Sequence, residues 1–521
     1  MTRPAQRPAP IPEKPAGLPR RVARRGQSAT VTIAVWPFAN PLMNITRPQD
    51  LVIVGAGLAG LAAAEEAVRM RPGLAVTIVE PSGRIGGVIE SVRRDGWLVE
   101  RSADSFLAAR PQGMRLVERI GMAGDLIGID PAVRRALILR GGRLLPAPNA
   151  FRLMAAGLAR SIISTPLLSF RGRLRLLCEP LVPRGTGADE SLEHFAVRRL
   201  GHEAFERLVQ PLVAGIWTAD PAKLSMAAAC PEFLEMEQRH GSLTAGERMR
   251  RRGASPAADA AGARYGQFVS LASGMESLPR QLWVAVQAAG VRLVQGRATA
   301  VARAADGLWT VAIEGQPDIT AAAVVIAAPA AVASKLVASL DPPLAAALGG
   351  IEYAGSAVVS LGFRREQVRH PLDAAGMVVP RCEGRRILAV SFLSSKFSGR
   401  APAGHVLMRT FVGGALDPEA TTMADALLVS LVRRELADLL GATGDPALVQ
   451  VDRWHAAMPQ YHLGHVGRVA RVKERLAALP GLAVAGAAYE GVGIPQVIAS
   501  GQEAARVACS PPHAGQENRS A

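Results

Sequence analysis

Cysteine is scarce in this sequence. Only four cysteines occur in 521 residues, and no two of them form a Cys-x-x-Cys pair: Cys178, Cys230, Cys382 and Cys509. Such scattered thiols exclude a disulfide framework and a zinc site, and they fit a reducing compartment. His462 and His465 have His-x-x-His spacing, but with no acidic or cysteine partner nearby we expect a surface or structural role for both. We therefore predict no metal site.

Long hydrophobic runs and aromatic residues are also missing. No segment reaches about 18 uninterrupted apolar residues, which argues against a transmembrane helix and favours a cytoplasmic protein. Only 4% of the residues are aromatic, and the net charge of +16 is not arranged in basic patches interleaved with aromatic residues. This pattern argues against nucleic-acid binding.

The basic charge is concentrated at the start of the chain, where acidic residues are nearly absent. Residues 1–48 carry eight Lys and Arg residues against Glu13 alone, and they are rich in proline. We predict a disordered basic extension there and a disordered tail at 509–521. Three interpretations of the extension stay open: a flexible tail, a targeting peptide, or a misassigned start with Met43 as the true first residue.

The most informative stretch begins at Leu51. Four apolar residues, Leu51–Val54, predict a buried parallel strand, and Gly55-x-Gly57-x-x-Gly60 leads from it into an Ala/Leu-rich helical pattern. Gly55 permits the tight turn, Gly57 lets a pyrophosphate approach the backbone, and Gly60 lets the helix pack on the strand. The diphosphate would then lie at the N–H groups of the helix N-terminus.

A second strand and an acidic residue complete this pattern. Ala75–Val79 is apolar and ends at Glu80, which is placed to accept both ribose hydroxyls of an adenosine and argues against a 2′-phosphate. In the following loop, Arg84 is a counter-charge for a diphosphate, and Gly86 and Gly87 let backbone lie against a flat ring. Together these features predict a dinucleotide site.

A second glycine-rich unit lies near the end of the chain. The apolar strand from Leu482 leads through Gly491-Val-Gly-Ile-Pro495 into a helical pattern, and Pro495 is a natural first residue of a helix. The positive end of that helix would point at whatever lies above the sheet. Two such units predict an elongated cofactor that is held at both ends.

The central part of the chain carries less specific sequence patterns. Residues 112–236 are mainly helical in pattern, and 351–412 alternate as expected for a second, more antiparallel sheet. Phe151–Pro183 mixes apolar groups with five arginines. Such a segment can lie on an acidic bilayer surface or be an ordinary amphipathic helical pair with solvated arginines, and both interpretations stay open.

These motifs together resemble the flavin-dependent protoporphyrinogen/coproporphyrinogen oxidases of haem synthesis, within the amine-oxidase-like flavoprotein superfamily. The superfamily resemblance rests on the glycine motifs, Glu80 and the Gly491–Pro495 end. The narrower resemblance rests on short motifs in order along the chain: Ala103-Asp-Ser-Phe106, Pro211-Leu-Val-Ala-Gly215, Leu224-Ser225, His240-Gly-Ser-Leu243, Gly274-Met275, Met458-Pro-Gln-Tyr461, Gly464-His465 and Leu479-Pro-Gly-Leu482. Ile216–Ala219 and Ala488 depart from the family pattern near the substrate mouth.

The resemblance implies an α/β fold: a Rossmann-like FAD-binding domain from three chain segments, an α+β substrate domain and a helical membrane-facing lobe. The expected segments are FAD-binding 49–110, 266–335 and 451–508, a helical substrate lobe 111–236, a flexible loop 237–265 and a substrate-binding sheet 336–450.

The resemblance also implies specific site residues. The expected FAD contacts are Gly55, Gly57, Leu58, Ala59, Gly60, Glu80, Pro81, Arg84, Gly86, Gly87, Ala298, Gly486, Gly491, Val492, Gly493 and Ile494. Gly215, Val378 and Phe392 would sandwich a tetrapyrrole, and Arg135 would meet a propionate. No His or Cys lies in a flavinylation context, so we expect non-covalent FAD. No catalytic side chain is predicted, because the cofactor carries the chemistry.

The implied reaction is oxidation of a porphyrinogen to the porphyrin in three hydride transfers to flavin, with O2 the expected acceptor and a quinone the alternative. Protoporphyrinogen and coproporphyrinogen both stay open as substrates. The competing hypotheses are another oxidase or desaturase of the superfamily, acting on amines or polyenes, and a non-catalytic flavin- or tetrapyrrole-binding protein. Expected partners are the porphyrinogen, the inner face of the cell membrane, a second copy of the chain and the next haem-pathway enzyme.

Overall fold

A computed structural model describes residues 47–148, 151–156, 159–187, 189–252 and 268–510. Nearly all of the predicted extension (1–48) and tail (509–521) lies outside these ranges. The described residues belong to one compact unit. Two large sheets and a lobe of helices organise it.

The first sheet combines parallel strands with an antiparallel meander. Its seven strands, in spatial order, are Arg292–Gln295, Val76–Glu80, Gln49–Val54, Gln316–Ile326, Trp309–Ile313 and Ala298–Arg303, with Leu482–Val484 also paired to Gln316–Ile326. The strands before Trp309–Ile313 in this order, and Leu482–Val484, pair in parallel. Leu51, Val52 and Ile53 have no exposed surface, as expected for a strand covered on both faces. The predicted strand-glycine-helix unit is therefore present.

Two helices follow parallel strands of this sheet and pack on each other. Leu58–Met70 follows Gln49–Val54, and Ile494–Cys509 follows Leu482–Val484. Their contact is close: a Cβ atom built on Gly501 would lie 2.1 Å from the carbonyl oxygen of Ala59. Because both helices leave the carboxyl edge of one parallel sheet, both N-termini lie at that edge.

Other helices cover the sheet and connect its segments. Pro111–Arg119 and Ser277–Ala288 pack near the two glycine-led helices. The helices Ala330–Leu336, Pro342–Gly349 and His465–Ala477 contribute buried residues to the cluster beneath the sheet. The minor strands are Ser91–Arg94, Trp97–Glu100, Phe106–Leu107, Leu126–Gly128, Phe151–Arg152, Ala155–Ala156 and Phe268–Leu271.

The second sheet is mainly antiparallel. In spatial order its strands are Leu448–Pro459, Tyr353–Arg364, His405–Gly413, Ile387–Phe392, Gly376–Val378, Ala136–Arg140 and Arg143–Pro146. Asp425–Leu440 packs on its outer face, and Leu393–Lys396 follows one strand. The predicted bounds 336–450 are too narrow, because the 136–146 hairpin and Leu448–Pro459 complete the ladder.

The helical lobe contains many short helices. They are Ala159–Ile163, Phe170–Leu177, Leu192–Leu200, His202–Ala204, Gln210–Trp217, Met226–Ala229, Pro231–His240 and Leu243–Arg252, with a π-helical turn at Phe205–Val209. No helix among the residues described is long and apolar enough to cross a bilayer.

The predicted flexible loop 237–265 is wrong where the structure describes it, because Leu243–Arg252 is a helix; 253–265 lie outside the described residues. The buried carboxylate of Glu179 accepts hydrogen bonds from the backbone N–H groups of Leu243 (2.9 Å) and Thr244 (3.1 Å) and from the Ser242 hydroxyl (2.7 Å). It also pairs with the buried Arg199. Burial would raise the pKa of Glu179, but these donors hold it below its usual value. These hydrogen bonds cap the N-terminus of the helix Leu243–Arg252.

Candidate functional site

The first glycine loop is built so that no side chain fits at two positions. Gly55 has a φ of +108°, and a Cβ atom there would lie 2.6 Å from the carbonyl oxygen of Ala327. A Cβ atom on Gly60 would lie 1.9 Å from the carbonyl oxygen of Gly55, so the helix packs directly on the turn. Gly57 is different, since a Cβ atom there would meet only Gly87, at 3.9 Å. A ligand can therefore approach the backbone of Gly57 closely.

Glu80 lies beside this loop at the end of its strand. Its carboxylate accepts hydrogen bonds from the backbone N–H groups of Ala56, at 2.8 Å, and of Ser82, at 2.9 Å. These donors fix the carboxylate at the carboxyl edge of the sheet and leave lone pairs for further donors, such as hydroxyl groups. The backbone of Gly296, two residues before Ala298, donates to the Glu80 carbonyl oxygen at 3.0 Å. The chain therefore passes the end of the Glu80 strand two residues before Ala298, which begins the strand Ala298–Arg303.

The 81–87 loop runs alongside the first glycine loop. The N–H group of Gly86 donates to the carbonyl oxygen of Ala56 at 2.9 Å, which holds the two loops together. Pro81, at the start of this loop, is exposed to solvent. The Arg84 guanidinium donates to the Gly87 carbonyl oxygen and pairs with Glu90 at 2.9 Å. Arg84 thus braces its own loop, with part of its side chain open to solvent.

The C-terminal glycine unit reaches the same edge. Gly486 and Gly491 have φ values of +134° and +136°, and a Cβ atom on Gly486 would meet nothing within 4 Å. Val492 and Gly493 follow, and Ile494 begins the helix. The glycine loops at 55–60 and 81–87 and the distant C-terminal glycine segment therefore lie along one edge of the first sheet.

The helix ends fit an elongated anionic cofactor. Leu58–Met70 begins after Gly57 and Ile494–Cys509 after Gly493, and neither N-cap glycine offers a side chain to the first-turn N–H groups. Uncapped N–H groups at a helix N-terminus attract negative charge. Leu58 and Ala59 lie in the first turn of one helix, and Ile494 in that of the other. This donor set suits a diphosphate and the electron-rich edge of a flat ring.

Two predicted substrate residues, Gly215 and Val378, lie on elements that contact each other. Gly215 lies on the exposed side of Gln210–Trp217, and a Cβ atom there would meet nothing within 4 Å. That helix contacts Gly376–Val378. Its Ile216, together with Val378 and Val492, packs on one buried cluster that includes Trp217 and Tyr461. The surface at Gly215 is open.

Phe392 and Arg135, the other two predicted substrate residues, have different surroundings. Phe392 has no exposed surface and belongs to the cluster on the opposite face of the second sheet, with Met377 and Met408. Arg135 is half exposed and pairs with Asp373 through its guanidinium. Phe392 and Val378 therefore lie on opposite faces of the second sheet.

Sequence reasoning missed a buried ionic cluster at Asp104, although the Ala103-Asp-Ser-Phe106 motif marks its position. Asp104 accepts hydrogen bonds from Lys396 and Arg409, both at 3.1 Å, and from the Ser391 hydroxyl at 3.3 Å. Burial would raise the pKa of Asp104, but the two cations hold it well below its usual range. This cluster connects the segment that follows the paired strands Ser91–Arg94 and Trp97–Glu100 to the second sheet.

Sequence reasoning also assigned no role to Tyr461, although Met458-Pro-Gln-Tyr461 was recognised as a motif. Tyr461 is 1% exposed, and its hydroxyl contacts Ala487 and Gly491 of the C-terminal glycine segment. His465 stacks on it, which agrees with the structural role predicted for that histidine.

Comparison with known proteins identifies a family and several relatives. The family described as "Flavin containing amine oxidoreductase" matches residues 58–509. Coproporphyrinogen III oxidase of Bacillus subtilis (strain 168) is 31% identical over 463 residues, covering 88% of this chain and 97% of the relative. The chloroplastic protoporphyrinogen oxidase of Nicotiana tabacum is 31% identical over 478 residues, covering 88% and 84%.

Solved structures agree with this assignment. A crystal structure named "Putative protoporphyrinogen oxidase", from Exiguobacterium sp. 255-15, has a TM-score of 0.77 and 29% identity, covering 88% of this chain and 98% of that one. Reduced UDP-galactopyranose mutase, with a TM-score of 0.65 and 16% identity, shares the fold. With a family match over most of its length and a glycine-lined cofactor edge to go with it, the chain belongs to the flavin containing amine oxidoreductase family.

Proposed function

We propose that this chain binds FAD non-covalently and oxidises a porphyrinogen to the porphyrin in haem synthesis. The main support is its similarity, over 88% of its length, to proteins named as coproporphyrinogen III and protoporphyrinogen oxidases. The geometry adds a second support, because the helix with the open surface at Gly215 is connected to the C-terminal glycine segment through Trp217 and Tyr461. A flat macrocycle could lie there against the edge of a flavin.

In this proposal the first glycine unit and Glu80 hold the adenosine diphosphate half of FAD. Gly57, Leu58 and Ala59 offer backbone to the diphosphate, and Ala298 lies near the adenine. Gly486 and the segment Gly491–Ile494 lie along the isoalloxazine. When bound, the flavin supplies the hydride acceptor. The protein's side chains position both ligands and exclude water from them. In this proposal the buried cluster that includes Trp217 and Tyr461 excludes water behind Gly215.

A direct assay tests the proposed activity. Purified holoenzyme is incubated with coproporphyrinogen III and, separately, with protoporphyrinogen IX in air, and porphyrin fluorescence and hydrogen peroxide are followed together. We expect porphyrin and peroxide to appear from at least one substrate, and the ratio of the two rates decides between the substrates. Porphyrin without peroxide would indicate an acceptor other than O2. Turnover of amines with no porphyrinogen oxidation would contradict the proposal.

Replacement of Glu80 tests the ribose assignment. We expect Glu80→Ala to weaken FAD binding by about 1.5–3 kcal/mol, because charged hydrogen bonds to the ribose are lost. Fluorescence titration of the apoprotein with FAD measures this. Glu314→Ala, at an exposed acid in the turn between Trp309–Ile313 and Gln316–Ile326, is the control. Equal FAD affinity in the two variants would remove Glu80 from the cofactor site.

We also propose that the helical lobe touches the membrane surface. Four large apolar side chains are exposed in one short region of the chain: Ile163 (56%), Phe170 (74%), Leu174 (53%) and Leu181 (83%). Phe170 and Leu174 are one helical turn apart and share a face. Arg171 is exposed between them, whereas Arg173 donates to Ile163 and Arg175 to Arg198 and Arg199. The apolar side chains and Arg171 would meet acyl chains and head groups.

Vesicle flotation tests this contact. We expect the wild type to float with vesicles of anionic phospholipid, less so at high salt, and the double variant Phe170→Asp/Leu174→Asp to lose most of its binding because it buries charge at the interface. Leu427→Asp, at an equally exposed leucine on the second sheet's helix, is the control. Equal flotation of all three proteins would show that the lobe is an ordinary solvated surface. Self-association and transfer of product to the next enzyme stay predictions.

A further inference from the structure

Tyr461 uses both hydrogen-bonding functions of its phenol on one short loop. The hydroxyl donates to the carbonyl oxygen of Ala487 at 2.6 Å and accepts the N–H group of Gly491 at 2.7 Å. Ala487 and Gly491 lie on either side of the turn that precedes the helix Ile494–Cys509. The side chain is almost completely buried, so water does not compete for these bonds.

His465 completes the attachment of this loop. Its ring stacks on Tyr461 with centroids 4.0 Å apart and planes inclined by 13°. Nε2 lies 3.0 Å from the carbonyl oxygen of Tyr489 and must donate, since a carbonyl oxygen only accepts. Burial lowers the pKa of His465, which keeps the ring neutral. Tyr461 and His465 together therefore bond to residues 487, 489 and 491.

The Tyr461 ring also contacts the helix that carries Gly215. The Trp217 ring lies 5.0 Å from it, centroid to centroid, at an angle of 54°. The backbone of Tyr461 is itself fixed, because its carbonyl oxygen accepts the N–H group of Ser225 at 2.7 Å. One rigid aromatic side chain thus contacts the helix of Gly215 and the loop that ends at Gly491.

We propose that Tyr461 is a positioning residue that sets the 487–491 loop, and with it the N-terminus of Ile494–Cys509, against the helix of Gly215, and that His465 holds Tyr461 in place. This inference rests on the proposed function, in which Gly491–Ile494 face the flavin and Gly215 faces the substrate. Displacement of Gly491 would move the N–H groups that stabilise negative charge on the reduced flavin. Electron transfer should therefore depend on a phenol that touches neither ligand.

A matched pair of tyrosine variants tests this role in the full-length holoenzyme. Tyr461→Phe removes the two hydrogen bonds and keeps the stacked ring. Tyr489→Phe removes a hydroxyl that is also buried, belongs to the same loop and has no hydrogen-bond partner among the described residues. Three quantities are measured: the Kd for FAD, the rate of anaerobic flavin reduction by porphyrinogen, and the visible circular dichroism of the bound flavin.

We expect Tyr461→Phe to slow flavin reduction about tenfold, to weaken FAD binding several-fold and to change the flavin dichroism, as two lost buried hydrogen bonds predict. Tyr489→Phe should stay within about twofold of the wild type, because no described residue forms a hydrogen bond with its hydroxyl. If Tyr461→Phe also stays within that limit, or if both variants lose function equally, the positioning role is overturned.

Failure of this inference and failure of the proposed function are distinguishable. A wild type that binds FAD but oxidises no porphyrinogen refutes the proposed function, while FAD affinity and dichroism still test Tyr461. If Tyr461→Phe does not fold, His465→Phe decides, because it keeps an aromatic stack and removes only the bond to Tyr489. We expect a smaller change of the same kind in that variant, and a spectrum and rate equal to those of the wild type would overturn the proposal.

Discussion

Gly215→Leu should abolish porphyrinogen oxidation and leave FAD bound. A side chain at this position points into open space, since a Cβ atom would meet nothing within 4 Å, so the variant should fold. Leucine also favours a helix over glycine by about 0.5–1 kcal/mol. The same open space is where we place a pyrrole ring, and a leucine side chain would fill it. We expect the rate of oxidation to fall by at least a hundredfold, the size expected when a misplaced substrate cannot reach its reaction geometry.

The measurement combines porphyrin fluorescence with flavin absorbance, so that loss of turnover is separated from loss of cofactor. Gly215→Ala should give an intermediate rate, because a methyl group fills less of the space. Gly467→Leu is the control, since Gly467 is also exposed in a helix and its Cβ atom would meet only the end of Arg471, at 3.9 Å. Full activity in Gly215→Leu would mean that the substrate lies elsewhere.

The cofactor edge could be predicted from sequence because its information is local. Strand, glycines, helix and acid follow one another between Leu51 and Glu80, and the close contact of Gly60 with Gly55 lies within this same stretch. The second glycine unit is equally local. Such patterns need no knowledge of which distant segments pack together.

Other features depend on distant partners, and sequence alone could not place them. The helix Leu243–Arg252 lies in a stretch, 240–265, whose richness in Gly, Ala and Arg predicts a loop. The carboxylate that caps this helix comes from Glu179, 64 residues before Leu243. Likewise, Leu448–Pro459 was divided between two predicted domains, and only its pairing with Tyr353–Arg364 assigns it to the second sheet. In both cases the deciding contact is absent from the local sequence.

The face of the second sheet on which Phe392 lies is another feature that the sequence alone could not place. Its strand, Ile387–Phe392, contains an irregularity between Ile387 and Ala389, where the register with His405–Gly413 shifts. A shift of one residue exchanges the two faces of a strand, so alternation cannot assign them. In the structure Ala389 pairs with Val378, whereas Phe392 pairs with Met408 in the core behind the sheet.

Phe392→Ala should therefore destabilise the fold instead of weakening substrate binding. Phe392 is completely buried among Leu137, Met377 and Met408, and removal of its ring leaves a cavity that the second sheet cannot fill without moving. Replacement of a buried phenylalanine by alanine costs about 3–5 kcal/mol. We expect the free energy of unfolding to fall by that amount in denaturant titrations, with the KM for porphyrinogen unchanged in the fraction that stays folded.

Val378→Ala is the matched comparison, because Val378 lies on the opposite face of the same sheet and is only partly buried. Its truncation removes apolar contact with the proposed substrate and creates little cavity. We expect a higher KM and a loss of stability below about 1.5 kcal/mol, the range for a small, partly exposed truncation. The two variants should therefore differ in both quantities: Phe392→Ala loses much stability at an unchanged KM, whereas Val378→Ala raises KM with little loss of stability. If Phe392→Ala raised KM and left the unfolding free energy intact, Phe392 would reach the substrate, and the second sheet would have to present its other face to the macrocycle.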